Sequence, residues 1–245
     1  MINKLKILIT GASGGIGISI CKQLSKINCE LILLYRNENN EFEKILKILK
    51  DKKIKFQKYK CDFLKENELD EVLKKIKSKN DKIDVLINNS AAILALPFLM
   101  TSIDKAKNIF QVNYFSVLKI TQEITKKMIK FKSGNIINIC STSGIENDEG
   151  RIVYSNSKAA LISFGSALSK ELKSFNIKVN NIAPGLVNTK MLHEHTKKEI
   201  LDNIKKNISL NRFAEPDEIA NVVIFLISDK STYINGQTIR VDGGM

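Results

Sequence analysis

Cysteine, histidine and long hydrophobic runs are scarce in this sequence. Its 245 residues include four cysteines and two histidines. The cysteines lack the Cys-x-x-Cys spacing of a zinc site, so we interpret them as core residues in a reducing compartment. No apolar run approaches the roughly 18 residues of a membrane span, and the one near the basic amino terminus is too short for a signal peptide. These absences predict a cytoplasmic protein without a membrane partner.

Three of these cysteines and histidines could in principle act as a nucleophile or as metal ligands: Cys140, His193 and His195. Cys140 ends an apolar run with a strand-like pattern, which favours a core position over a nucleophile. The His-x-His pair lies in a polar stretch that we expect to be a loop, and two ligands are too few to predict a metal site. We therefore expect solvated histidines and no metal.

The net charge of +13 is the one unusual quantity in the composition. A basic chain attracts nucleic acid and anionic membranes. Here the lysines are spread through nearly every helix-like segment, with acidic residues between them. We interpret the charge as solvated surface and expect no nucleic-acid partner.

Short β-branched apolar runs alternate with longer segments of helical spacing along the whole chain. Runs such as VLIN and NIINIC are typical of strands that are covered on both faces. The predicted strands span residues 4–10, 29–35, 54–60, 83–88, 135–140, 177–182 and 238–241, and the two longest helical patterns span 103–130 and 153–173. The pattern predicts an α/β fold, in which residues 1–245 form a single doubly wound, Rossmann-type domain with a parallel sheet of about seven strands and helices on both faces.

A glycine-rich segment, TGASGGIG at residues 10–17, follows the first predicted strand. In such a sheet the ligand binds beyond the carboxyl ends of the strands. Glycines there permit a positive φ and let the backbone approach a pyrophosphate at the start of the next helix. The spacing of Gly11, Gly15 and Gly17 departs from the Gly-x-Gly-x-x-Gly fingerprint. Taken alone, the segment also fits a tight turn without a ligand.

Tyr154 and Lys158 lie four residues apart in an amphipathic pattern, so they share one face of a helix. A nearby ammonium favours the phenolate, and we expect it to lower the pKa of Tyr154 from its usual value of about 10. A lower pKa would bring the phenol toward the range of general acid/base catalysis. Ser141 ends the fifth predicted strand at the same sheet edge, 13 residues before Tyr154. The pair alone also fits a core tyrosine and a surface lysine.

Taken together, these motifs resemble those of the short-chain dehydrogenase/reductase family. The matching segments occur in the family's order over essentially the whole chain. They are TGASGGIG (10–17), CDF (61–63), NNSA (88–91), QVN (111–113), CSTSG (140–144), YSNSK (154–158) and NIAPGLVNT (181–189). The resemblance looks closest to the family's bacterial 3-oxoacyl-acyl-carrier-protein reductases.

The resemblance implies a catalytic role for four residues. Tyr154 would exchange a proton with a carbonyl or alcohol oxygen while hydride moves to or from a nicotinamide. Lys158 would also bind the nicotinamide ribose, and Ser141 would hold the carbonyl oxygen. Asn113 would hold a water that links Lys158 to solvent.

The resemblance also implies a nicotinamide cofactor. Tyr35 stands where NAD-preferring relatives usually carry an acid, and Arg36 follows it, which predicts NADP(H) rather than NAD(H). Gly14 replaces the family's other common phosphate-binding cation, so we expect a modest preference. Asp62 would lie near the adenine and Asn89 near the adjoining ribose. The implied cofactor-binding residues are Gly11, Ser13, Gly15, Ile16, Gly17, Tyr35, Arg36, Asp62, Asn89, Ala91, Tyr154, Lys158, Pro184, Gly185, Val187 and Thr189.

An apolar substrate pocket is expected beside Ser141. Ile93 after the fourth strand, together with Leu186 and Met191 in a substrate loop at about residues 186–212, would contact the substrate. Val187 and Leu192 would extend the same apolar wall, which suits an acyl chain.

The substrate and partner stay open at the level of sequence. Lys132 matches one of the two basic positions with which the reductase subgroup docks acyl carrier protein, but the other falls on Phe175, and Ser90 and Ala91 depart from the family's Asn-Asn-Ala-Gly turn. A 3-oxoacyl thioester is therefore one candidate, and a sugar, polyol or other small keto compound is the alternative. A non-catalytic NADP(H) sensor is a third. By family analogy we expect a homotetramer.

Overall fold

Seven parallel strands form one sheet in the computed structural model, which describes residues 4–195 and 198–245. The strands are β1 Leu5–Ile9, β2 Cys29–Tyr35, β3 Lys55–Lys60, β4 Val85–Asn88, β5 Gly134–Ile139, β6 Ile177–Pro184 and β7 Thr238–Val241. Their order across the sheet is β3-β2-β1-β4-β5-β6-β7. This topology confirms the predicted doubly wound α/β fold, with strand ends within two residues of those expected.

Helices cover both faces of the sheet. They are α1 Gly15–Leu24, α2 Asn40–Asp51, α3 Glu66–Lys79, α4 Ile103–Phe110, α5 Ser116–Phe131, α6 Ser143–Glu146, α7 Ile152–Glu171, α8 Lys190–His195, α9 Lys198–Lys206 and α10 Pro216–Ile227. Helices α1, α2 and α10 pack in one core cluster, and α3, α5 and the end of α7 pack in another.

The strand sequences explain the two-sided core. Successive side chains of a strand point to opposite faces. On β1, Ile7 and Ile9 belong to the cluster under α1, α2 and α10, whereas Leu8 belongs to the cluster under α3 and α5. All three are fully buried. A strand that is covered on both faces, such as β1, therefore needs apolar side chains at successive positions.

Two expected elements differ from those observed. The helical pattern at 103–130 is divided into α4 and α5 by a π-helical turn, Gln111–Phe115. Such turns keep the chain helical but admit an extra residue, and they are frequent at functional sites. The expected substrate loop at 186–212 contains α8 and α9, so the histidines lie on a helix and not in a loop. The ring of His193 hydrogen-bonds through Nε2 to Oδ1 of Asn188 at 2.8 Å.

The four cysteines are buried and have free thiols, which confirms their interpretation as core residues. Burial raises the pKa of Cys140 to about 12, and the neighbouring Lys158 opposes that shift more weakly. The thiol of Cys140 is therefore protonated at neutral pH and is a poor nucleophile. Within the described ranges, no helix has both the length and the apolar character needed to cross a bilayer.

Candidate active site

The strand order reverses at β1, and the turns after β1 and β4 meet at this point of the sheet edge. The hydroxyl of Thr10 accepts hydrogen bonds from the backbone N–H groups of Asn89 at 2.9 Å and Ser90 at 3.0 Å. Nδ2 of Asn89 donates to the carbonyl oxygens of Thr10 at 3.1 Å and Gly11 at 3.0 Å. This is the crevice in which doubly wound folds bind their ligands. The amide of Asn89, expected near a ribose, instead clamps the glycine turn.

The glycine turn after β1 has no room for side chains at its critical positions. Gly11 has a φ of +64°, and a Cβ on Gly17 would lie 2.2 Å from the carbonyl oxygen of Gly11. A Cβ on Gly15 would lie 2.8 Å from Cγ2 of Thr189, which follows β6. The tight turn exposes backbone at the start of α1, where N–H groups and the helix dipole favour an anionic group. We call this glycine turn the dinucleotide cradle. Because side chains at its glycine positions would crowd it, its backbone is open to the pyrophosphate of a dinucleotide.

The end of β2 carries an aromatic ring and no acid. Tyr35 is buried and packs on Phe42 with their ring centroids 5.2 Å apart. Nζ of Lys58 lies 5.6 Å from the centroid of the Tyr35 ring and forms an ion pair with Glu38. Arg36 follows Tyr35 and is exposed. The first charged side chain beyond this strand is therefore a cation.

The other expected cofactor residues lie on the same sheet edge. Ser13 is partly buried, and its carbonyl oxygen accepts a hydrogen bond from Nδ2 of Asn39 at 2.9 Å. Asp62 follows β3, and its Oδ1 accepts the backbone N–H of Leu64 at 3.1 Å. Ile16, Ala91 and Gly185 are partly buried, and Pro184 ends β6.

Lys158 is buried in the second turn of α7. Its side chain is 1% exposed, and Nζ donates a hydrogen bond to the carbonyl oxygen of Ile139, the last residue of β5, at 2.9 Å. The same Nζ lies 6.0 Å from the centroid of the Tyr154 ring, one turn earlier on the helix. The predicted pair therefore lies together at the carboxyl end of β5, and the lysine is not a surface residue.

Tyr154 does not have the lowered pKa that we expected. Burial raises the pKa of its phenol, and a hydrogen bond with Ser141 opposes this effect more weakly. Burial also lowers the pKa of Lys158. In both groups the largest cause of the shift is desolvation by burial, and the ammonium is bonded to the carbonyl of Ile139. The phenol is therefore protonated at neutral pH.

Asn113 lies in the π-helical turn between α4 and α5 and is fully buried. Its Oδ1 accepts the backbone N–H of Ala92 at 2.7 Å, and its Nδ2 donates to the carbonyl of Ala92 at 2.9 Å. Nδ2 also donates to Oγ of Ser157 at 3.0 Å. One amide thus joins the turn after β4 to α7.

Ser141 follows β5 and is 9% exposed. Its Oγ accepts the backbone N–H of Ser143 at 3.2 Å, and the N–H of Thr142 donates to the carbonyl of Pro184 at 2.9 Å. The second bond ties this turn to the end of β6. Ser141, Tyr154 and Lys158 are thereby brought to one place on the carboxyl edge.

The expected substrate wall is only partly present. Ile93 and Leu186 are partly buried and Met191 is exposed, so these side chains are accessible from the edge. Val187 and Leu192 are both 7% exposed. Val187 packs in the core under α1 and α10 and forms a parallel bridge with Ala214. It therefore contributes packing instead of a pocket surface.

Two residues of the site were missed at the level of sequence. Thr10 fastens the turn after β4, and Ser157 joins Asn113 to α7 while its Oγ donates to the carbonyl of Tyr154 at 2.7 Å. Both lie inside motifs that were noted for other residues. For Ser157, a hydroxyl in the first turns of a functional helix was the available signal.

Comparison with known proteins agrees with this arrangement. A family model described as enoyl-(acyl carrier protein) reductase matches residues 11–245. The 3-oxoacyl-(acyl-carrier-protein) reductase FabG of Aquifex aeolicus is 34% identical over 238 residues, which cover 97% of this chain and 96% of that protein. An acetoacetyl-CoA reductase from an Acinetobacter species is 32% identical over 241 residues, covering 97% of this chain and 96% of its own. A structure of actinorhodin polyketide ketoreductase with NADPH is similar at a TM-score of 0.90 and 27% identity, over 99% of this chain and 97% of that one.

The fold and the similarities define an NAD(P)-dependent oxidoreductase. The chain belongs to the short-chain dehydrogenase/reductase family, as the order of its motifs predicted.

The glycine turn provides a direct test of the dinucleotide cradle. Gly17→Ala is expected to weaken NADPH binding by at least about tenfold, which corresponds to about 1.4 kcal/mol, because its Cβ would meet the Gly11 carbonyl oxygen at 2.2 Å. Gly14→Ala is the matched control, since its Cβ would lie 3.4 Å from the same oxygen. Isothermal titration calorimetry measures both dissociation constants. Equal affinities in the two variants would contradict the cradle.

Proposed function

We propose that this protein uses NADPH to reduce the 3-oxo group of an acyl thioester. The observation that carries the proposal is the placement of the Tyr154 phenol, which hydrogen-bonds with Ser141 one helical turn before the buried ammonium of Lys158. Reduction of a ketone needs a proton donor and a second donor that holds the carbonyl oxygen. The two relatives named above act, by their names, on 3-oxoacyl and acetoacetyl thioesters.

Four residues have separate roles in the proposed reduction. A bound nicotinamide supplies the hydride. Tyr154 donates its proton to the carbonyl oxygen, and the Ser141 hydroxyl donates a hydrogen bond to the same atom. The resulting phenolate is stabilised by the ammonium of Lys158, whose remaining donors would hold the ribose hydroxyls of the cofactor. Asn113 would hold the water through which the proton is returned.

NADP(H) is the proposed cofactor. Tyr35 offers no carboxylate to a ribose 2′-hydroxyl, and the exposed guanidinium of Arg36 suits a 2′-phosphate. The glycine turn and Thr189 would hold the pyrophosphate region, and Asp62 would lie near the adenine. Lys58 is the other cation near Tyr35, but it already forms an ion pair with Glu38. We therefore assign the 2′-phosphate to Arg36.

Two positions bear on which carrier presents the thioester. Lys132 ends α5 with a φ of 46° and is exposed, which suits an acidic carrier protein. Phe175 instead packs its ring against the core under α3 and α5, so it adds no cation. The proposed substrate is therefore a 3-oxoacyl thioester on either acyl carrier protein or coenzyme A.

We also propose a cytoplasmic homotetramer in which each chain is one domain. Phe115 and Phe131 on the α5 segment are 50% and 41% exposed. Tyr114 packs edge-on against Phe164 of α7, with ring centroids 6.2 Å apart. Exposed aromatic residues at the two ends of α5 favour association between copies of the chain.

Removal of one hydroxyl tests the proposed proton donor. Tyr154→Phe is expected to lower kcat by a factor of about 10² to 10⁴ with NADPH and acetoacetyl-CoA, because the acid is lost. NADPH binding should change little, since the ring remains. Tyr233→Phe, at a fully exposed tyrosine, is the control and should keep full activity. Unchanged turnover in Tyr154→Phe would refute the mechanism.

The cofactor preference is tested at Arg36. Arg36→Ala is expected to lower the ratio of kcat/KM for NADPH to that for NADH by about tenfold or more, as the charge-assisted bonds to the 2′-phosphate are lost. Lys50→Ala removes one charge from the exposed far end of α2 and should leave the ratio unchanged. A ratio that does not respond to Arg36 would place the phosphate elsewhere.

A substrate panel tests the proposed reaction itself. NADPH oxidation should be at least about tenfold more efficient in kcat/KM with 3-oxoacyl thioesters of acyl carrier protein or coenzyme A than with keto sugars and other small ketones. Preference for a keto sugar or polyol would support the alternative substrate class. A chain that binds NADPH but oxidises it with no member of the panel would support a sensor.

A further inference from the structure

Three buried asparagines lie side by side on adjacent strands. Asn88 on β4, Asn138 on β5 and Asn181 on β6 are register partners, and none is more than 1% exposed. Nδ2 of Asn88 donates to Oδ1 of Asn138 at 2.9 Å, and Nδ2 of Asn138 donates to Oδ1 of Asn181 at 3.0 Å. We call these three residues the amide ladder.

The amide ladder is fastened to helices at both ends. Nδ2 of Asn88 also donates to Oγ1 of Thr121 on α5 at 3.1 Å. Nδ2 of Asn181 donates to the carbonyl oxygen of Ile162 on α7 at 3.0 Å and to Oγ1 of Thr238 on β7 at 3.1 Å. The ladder therefore connects α5, four strands and α7 in one chain of hydrogen bonds.

Helix α7 lies unusually close to the ladder at Gly165. A Cβ on Gly165 would be 2.1 Å from Oδ1 of Asn181 and 2.8 Å from Nδ2 of Asn138. No other residue type fits there without a shift of the helix or of the amides. The depth of α7 on the sheet is thus set by contact between its backbone and the ladder.

Simple filling of the core does not require these amides. Two residues earlier on the same three strands, and on the same face, stand Leu86, Ile136 and Val179, which are fully buried in the core under α3 and α5. Burial of an amide carries a desolvation cost that an apolar side chain does not have. The row of amides begins where the strands approach the edge that carries the site.

The two elements that the ladder joins also form the lysine site. Asn138 directly precedes Ile139, whose carbonyl accepts the ammonium of Lys158. Ile162, the ladder's contact on α7, lies four residues after Lys158, a rise of about 6 Å along the helix axis. A shift of α7 relative to β5 would therefore move Lys158 and Tyr154 away from Ser141.

We propose that Asn181 is a positioning residue, which through the amide ladder sets the depth of α7 and so places Tyr154 and Lys158 for proton transfer. The inference rests on the proposed function of that pair. Small displacements matter, because a misplacement of about 1 Å can lower a rate on the order of 10²-fold.

The test compares two variants that lose the same kind of bond on opposite faces. Asn181→Leu removes the bond to Ile162 of α7. Asn135→Leu, on β5, removes a buried amide bond of 2.7 Å to the carbonyl of Leu226 on α10, a helix without a proposed catalytic residue. Both variants should lower Tm.

Only Asn181→Leu should change catalysis. With NADPH and acetoacetyl-CoA, its kcat should fall at least about tenfold. KM for NADPH should rise by a smaller factor, because Lys158 is displaced from the ribose but the glycine turn is intact. In the free protein, hydrogen exchange measured by mass spectrometry should rise in residues 152–165 for Asn181→Leu and in residues 216–227 for Asn135→Leu. Asn181→Ser, a smaller change, should show the same effects in milder form if the leucine variant does not fold.

Equal kcat in the Asn181 and Asn135 variants, or unchanged exchange in residues 152–165, would overturn the inference. These outcomes are separable from failure of the proposed function. If Tyr154→Phe is inactive but Asn181→Leu and Asn181→Ser keep full kcat, only the positioning role is wrong. If Tyr154→Phe is fully active, the proposed mechanism is wrong, and the exchange data alone then decide whether the ladder holds α7.

Discussion

The buried ammonium of Lys158 is the constraint on which the rest of the site depends. A desolvated lysine needs an acceptor, and here it is the carbonyl of Ile139 at 2.9 Å. This bond requires α7 to lie against the carboxyl end of β5. It also requires the turn after β5 to pass close over the helix: a Cβ on Gly144 would lie 2.9 Å from Cβ of Lys158. Ser141, at the start of that turn, is therefore held beside Tyr154 by the same packing.

The two faces of the sheet differ in the side chains that contact the helices. On one face, α1 and α10 pack on apolar side chains, and the glycine turn at the start of α1 forms the dinucleotide cradle. On the other, α5 and α7 contact a row of buried amides that continues to the catalytic edge. Hydrogen bonds between fixed partners specify a distance more narrowly than apolar contacts do. Geometry is thus most tightly specified where a proton has to be transferred.

Much of this arrangement could be predicted from sequence because its signals are local. Apolar runs predicted all seven strands, and the position of Ser141 after the fifth strand predicted its place beside α7. The π-helical turn at Gln111–Phe115 could not be predicted, because a single wide turn leaves the helical pattern on both sides intact. Val187 was misplaced for a related reason: an apolar residue after a strand has the same signature in a pocket and in the core.

The pKa of Tyr154 was the most instructive error. A spacing of four residues shows that two side chains share a helix face, but it does not show where the ammonium points. In the structure the ammonium of Lys158 is bonded to Ile139, and burial raises the pKa of the phenol. This direction suits reduction, which starts from a protonated phenol and ends with a phenolate.

In the proposed reduction, the charge of Lys158 consequently matters most after the proton has left Tyr154. Before transfer the phenol is neutral, and the lysine gains little from it. As the proton moves to the carbonyl oxygen, negative charge develops on the phenol in a site with little solvent, where an ammonium on the neighbouring helical turn is strongly stabilising. An interaction that is stronger in the transition state than in the ground state is one that raises kcat. In this proposal Lys158 stabilises charge that develops on Tyr154, and the pair does not start as a phenolate.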